Sequence, residues 1–156
     1  MRLEINRVDV LNKEIDLIQA CISRMSQNSF IVKGWLITLV AVVLALLPES
    51  FSLRGLCIVG FTITICFWFL DGFFLKMEKL YRWKYEWVIK NRIDSELEIY
   101  DLNPYNSKMW IPNNNGIHKN EPKILRVMFT KTLCPMYGTL LVCIFVTFVN
   151  SFTCWF

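Results

Sequence analysis

Three long stretches of this chain carry no charge, and they narrow the folds open to it more than any other feature. Residues 34–48, 55–70 and 132–156 contain no Asp, Glu, Lys or Arg. A helix needs about 20 apolar residues to cross the ~30 Å hydrocarbon core of a bilayer. The sixteen residues 55–70 reach only about 24 Å at 1.5 Å per residue, so the second run is expected to continue to residue 75 and to carry Asp71 with it. The expected spans are 30–47, 53–75 and 132–156. The predicted fold is an all-α membrane protein forming one membrane domain over residues 1–156. It has a cytoplasmic amphipathic helix over 1–29, a two-span helical hairpin, a cytoplasmic juxtamembrane helix and loop over 76–131, and a third, C-terminal span. The segment 49–54 is too short for anything but a tight return between the first two spans. Pro48 ends the first span and Pro135 falls in the first turn of the third, where proline is tolerated.

The hairpin makes a residue-level expectation. Folding the chain about residues 51 and 52 brings Lys33 and Asp71 to the same depth. An ion pair between them relieves both charges near the membrane edge. The alternative for Asp71 is to line a water-filled path, as intramembrane acids often do. Ala41 and Ala45 form a small-x-x-x-small pair that permits close approach of another helix. Trp35 has the character of an interfacial anchor.

Basic residues orient the spans. Arg2, Arg7, Lys13 and Arg24 precede Lys33, Arg54 alone lies in the return, and eleven Lys and Arg lie between Lys76 and Lys131. None follows Lys131. The excess of Lys and Arg in cytoplasmic loops then places the N-terminus and the long loop in the cytoplasm and the C-terminus outside, as in a bacterial inner membrane. Three crossings make these placements mutually consistent.

Ahead of the first span, Val8, Leu11, Ile15, Ile18, Ile22 and Met25 are spaced 3, 4, 3, 4, 3, which places them on one stripe of a helix. Such a stripe is a candidate oligomer seam. The alternative is packing on the rest of the same chain. Ser26 to Ser29 are candidates for a kink or for the headgroup level. An N-terminus that opens on a charged amphipathic stretch is not that of a signal peptide. After the second span the helix is expected to run on to about residue 100, with an acidic face over 94–101. Between 76 and 92 six basic residues stand against Glu78 and Glu86, interleaved with aromatics. Lys76, Lys79, Arg82, Trp83, Lys84 and Trp87 are therefore expected to face membrane lipids as an interfacial basic and aromatic belt. Stacking on nucleic acid is the other use of such a pattern, and beside a span it is not expected. Residues 103–122 hold three prolines and six asparagines and form a loop, with a turn at 113–116. Trp110 and Ile111 are apolar residues within it, suited either to tucking onto the helices or to meeting a partner.

Nothing in the chain points to catalysis. No phosphate-binding, dinucleotide-binding or zinc-protease motif occurs, and one histidine, His118, offers no triad. The six cysteines contain no C-x-x-C pair, and they are expected to serve as small hydrophobes rather than as disulfides or metal ligands. No cofactor and no metal are expected.

Residues 24–30 (RMSQNSF), followed by Lys33-Gly-Trp35, resemble a signature of small bacterial membrane proteins, as do residues 71–75 (DGFFL) with 78–82 (EKLYR). The plan of amphipathic helix, two-span hairpin and cytoplasmic helix resembles the SLATT-type anti-phage membrane effectors. The resemblance covers roughly residues 20–90. It implies an oligomeric effector that perturbs or permeabilises the inner membrane on a cytoplasmic signal. A non-conducting scaffold that recruits a cytoplasmic protein partner is the other function suited to this plan.

Overall fold

A computed structural model describes residues 6–45, 52–112 and 119–153. Every regular element among them is helical: α1 (Arg7–Ala45), α2 (Leu53–Asn91), a short 3-10 turn (Ser107–Met109), α3 (Ile124–Met128) and α4 (Cys134–Thr153). Asn6 begins α1 by accepting the Val8 N–H on its side-chain oxygen at 3.1 Å, the usual device for an exposed helix start. The return between α1 and α2, the turn at 113–116, His118 and the terminal Trp155 and Phe156 lie outside the described residues. Three of the helices are long and apolar enough to cross a membrane: α1, α2 and α4.

The chain forms two compact units. The first comprises residues 1–27 and 74–122, the second residues 28–73 and 123–156. In the first unit, the early part of α1 packs against the late part of α2. Ile18, Cys21, Tyr81, Trp87, Val88 and Met109 form its core, with Leu11, Ile15, Ile22 and Met25 packed around them. The stripe expected as a seam between copies is thus covered by the chain itself, except for Val8, which is 53% exposed. The burial pattern also differs in phase. The fully buried positions are Val10, Glu14, Ile18 and Cys21, a stripe rotated from the apolar one so that it includes a carboxylate.

Glu14 is tolerated there because Arg92, equally buried, meets it with both Nε and Nη2. The Tyr100 N–H donates to Glu14 Oε1 at 2.7 Å. Arg92 Nη1 donates to the Leu97 carbonyl at 2.7 Å. These bonds explain why α2 stops at Asn91 rather than near residue 100. The guanidinium at Arg92 gathers the following carbonyls, and 94–101 becomes a series of turns instead of an acidic helix. Glu98 and Tyr100 adopt φ of 47° and 60°, a left-handed conformation uncommon for residues with a side chain. Trp110 is buried and donates its indole N–H to the Pro104 carbonyl, so it tucks onto its own unit.

The basic and aromatic belt is also largely internal. Lys84 is fully buried, bonding Asp101 at 2.8 Å and the Asn103 carbonyl at 3.0 Å. Trp87 belongs to the core, Trp83 packs edge-on against Trp110, and Lys76 is paired with Glu121. Lys79, lying over the Trp83 ring, and Arg82, bonded to Glu78 on its own helix, are both exposed. The expectation that these six residues face lipid therefore does not hold for Lys84 and Trp87. The loop 101–111 folds over that side of α2 and supplies their partners. Burial works against the charge of Asp101, but bonds from Lys84, Asn106 and the Asn103 N–H outweigh it and hold its carboxyl below the usual value.

The second unit consists of the later part of α1, the earlier part of α2, α3 and α4. Helix α2 runs antiparallel to α4, as three levels show. Arg54 donates to the Ser151 carbonyl at one end, Gly60 faces Ile144 in the middle, and Asp71 meets Tyr137 at the other end. Residues 26–29 lie inside the continuous helix α1. The outer surfaces are apolar: Phe30, Trp35 and Leu44 on α1, Ile58 and Val59 on α2, and Val142 and Phe145 on α4 are all exposed. Only 6% of the apolar window of α4 is buried. A contiguous apolar surface of this extent is not carried exposed to water, and it fits the lipid-facing side of spans.

Candidate functional site: a buried charge where three helices meet

Among its described residues the second unit contains one acidic side chain, Asp71, and it is fully buried. In apolar surroundings an unpaired carboxylate is very costly. The chain resolves the cost by bringing a donor from each neighbouring helix. Lys33 Nζ lies 2.7 Å from Asp71 Oδ2 and 2.9 Å from Oδ1. Ser29, one turn earlier on α1, donates its hydroxyl to Oδ1 and accepts from Lys33 Nζ at 2.7 Å. From α4, Tyr137 donates its hydroxyl to Oδ2 at 3.0 Å. Among the described residues, no buried side-chain N or O atom is left without a partner.

The geometry follows from helix periodicity. Ser29 and Lys33 are four residues apart and so share a face of α1. The lysine stem lies along the helix with its side chain 26% exposed, as expected of a long basic side chain reaching toward a polar level. Tyr137 is held by Trp68, whose ring stacks on it at 5.9 Å and 6°. Aromatic pairs of this kind contribute about 0.5–1.5 kcal/mol beyond area burial. Trp68 in turn donates its indole N–H to the Met128 carbonyl at 3.0 Å, satisfying one of the carbonyls left open at the end of α3. Gly72 completes the arrangement. A Cβ there would sit 2.7 Å from Met128 Cγ, so glycine allows α3 to lie directly against α2.

Lys33 and Asp71 are therefore in contact, and the structure adds two partners that sequence reasoning passed over. Ser29 was legible as a hydroxyl one turn from Lys33. Tyr137 carried no such signal, since a single phenol in an apolar helix looks like one more aromatic residue. Between the three helices lies an apolar groove of about 320 Å³, lined by residues such as Leu39, Val43, Leu56, Gly60, Leu140 and Ile144. It is not a polar path leading to Asp71. Cys57 is buried, Cys66 and Cys143 are exposed on the apolar surface, and all are free thiols, as are Cys21 and Cys134. Cys154 lies outside the described residues. No family model, no curated protein and no solved structure matches this chain.

Proposed function

We propose that this chain is a membrane effector that rests in a latched state, with Asp71 as the latch, and perturbs the bilayer when a cytoplasmic signal releases it. The observation that carries this reading is the fully partnered carboxylate where three helices meet beside their charge-free stretches. A buried ion pair adds little net stability over an apolar packing of the same volume. Its value lies in specifying one arrangement, and in making departure from it a discrete event. The resemblance to SLATT-type effectors points to anti-phage defence. The N-terminus and residues 76–131 are cytoplasmic and the C-terminus is outside, in a bacterial inner membrane. Copies associate through the spans rather than through the Val8–Met25 stripe, which is occupied. Gly34, Ala41 and Ala45 lie exposed on α1 and allow a second helix to approach closely.

The test is induction of the protein alone in a bacterium, with membrane potential followed by a dye. Tyr137→Phe removes one latch bond, worth about 1 kcal/mol, and should shift the released population roughly five-fold. Depolarisation should then begin at lower expression than for wild type. If neither protein changes the potential at verified membrane expression, the effector reading fails. A second reading is a non-conducting scaffold that recruits a cytoplasmic protein. It is favoured by the exposed cluster Ile93, Leu97 and Tyr100 at the turns following α2. Recovery of a bound protein that is lost with Leu97→Ser and Tyr100→Ser would support it.

A further inference from the structure

We propose that residues 123–131 form a binding surface for the headgroups of anionic phospholipids. This rests on the reading that α1, α2 and α4 cross a bilayer, and it concerns a segment that the latch does not use. Three observations carry it. The first is charge. Lys123, Arg126 and Lys131 are exposed, and the chain contains no acidic residue after Glu121. Among the described residues none of the three is ion-paired, whereas Lys33, Lys76, Lys84 and Arg92 all are. The second is the apolar face beside these charges. Leu125 and Phe129, one helical turn apart, are 63% and 64% exposed, while Val127 and Met128 are buried beneath them.

The third observation is depth. Met128 is seated against Gly72, its carbonyl accepts from Trp68, and the Phe129 ring meets Trp68 edge-on at 5.0 Å. Residues 68–72 are where the charge-free run of α2 ends, and α4 begins only five residues beyond Phe129. Leu125 and Phe129 are thereby fixed at the boundary of the hydrocarbon, the level at which an amphipathic segment lies in the interface. The three basic side chains are then at headgroup height, where phosphodiester charge without a compensating amine is the complementary chemistry. Each basic residue near an anionic surface strengthens association by up to about five-fold, and the effect falls with salt.

The test uses the full chain in phosphatidylcholine bilayers containing a trace of spin-labelled phosphatidylglycerol or phosphatidylcholine. The fraction of each label immobilised by the protein gives the relative association. Wild type should prefer phosphatidylglycerol several-fold, less so in high salt. The triple variant Lys123→Gln, Arg126→Gln, Lys131→Gln should lose that preference. The charge-keeping variant Lys123→Arg, Arg126→Lys, Lys131→Arg should retain it, which separates charge from misfolding. A control set on the other unit, Lys79→Gln, Arg82→Gln, Lys90→Gln, should also retain it. Wild type without a preference, a preference that survives the 123/126/131 Gln variant, or a preference lost in the control set would each overturn the proposal. Resistance to carbonate extraction is measured alongside. Wild type that is extracted refutes the spans, while wild type that stays in the bilayer without a preference refutes only the headgroup surface.

Discussion

Removing the two ends of the Lys33–Asp71 pair should not cost the same. Lys33→Ala leaves a carboxylate that is fully buried and retains only the neutral donors Ser29 and Tyr137. Breaking a buried pair in this way costs about 3–5 kcal/mol. Asp71→Ala instead leaves a lysine whose side chain is already 26% exposed and can turn toward the headgroups. What remains is the loss of an acceptor for two hydroxyls, about 1–3 kcal/mol in all. The double variant should then be less destabilised than the sum of the singles, with a coupling of about 1–3 kcal/mol. The measurement is reversible unfolding of each variant in bicelles, read as free energy at a common lipid composition. If Asp71→Ala costs as much as Lys33→Ala, or if the two effects add, the side chains do not depend on each other as the geometry requires.

Other outcomes follow from the same structure. Gly72→Leu should loosen α3 by about 1–3 kcal/mol through overpacking, and Met128→Ala should recover part of it, read as thermal stability in detergent. Glu14→Ala and Arg92→Ala should each cost about 3–5 kcal/mol, because each leaves a buried charge unpaired, and loss of helical circular dichroism on heating checks it. For Asp101, whose folded carboxyl is held below its ordinary value, the sign is definite. Its contribution is complete above the unfolded value of about 3.9 and is lost as pH falls through the lower folded value. Asp101→Asn should therefore remove part of the acid sensitivity seen in unfolding below about pH 4.

The spans were legible because absence of charge is a one-dimensional signal, independent of how the helices meet. The Lys33–Asp71 contact was legible for a related reason, since a tight return places residues equidistant from it at one depth. Tyr137 was not, because its register on Asp71 depends on how α4 lies against α2, which local periodicity does not encode. The N-terminal stripe was displaced by a similar effect. Apolar spacing points to Val8 and Leu11, yet the buried line passes through Val10 and Glu14, since Arg92, far along the chain, converts a carboxylate into a core residue. Lys84 and Trp87 looked like an interfacial belt for want of one fact, that Asp101 and Met109 return to cover them. Composition marks a segment as basic and aromatic, and only the fold says whether its partners are lipids or its own loop.

Underlying the latch, the headgroup surface and the orientation is the claim that a bilayer covers the apolar faces of α1, α2 and α4. Cys66 and Cys143 test it directly, because both are exposed on the protein surface and so should react at once if that surface met water. Single-cysteine variants keeping Cys66, Cys143 or an introduced Val42→Cys would be treated in vesicles with a membrane-impermeant maleimide, then again after the bilayer is dissolved in denaturing detergent. All three should remain unlabelled until the bilayer is removed and label fully afterwards. Rapid labelling of any of them in intact vesicles opened to the reagent on both sides would place that helix in water and contradict the crossing.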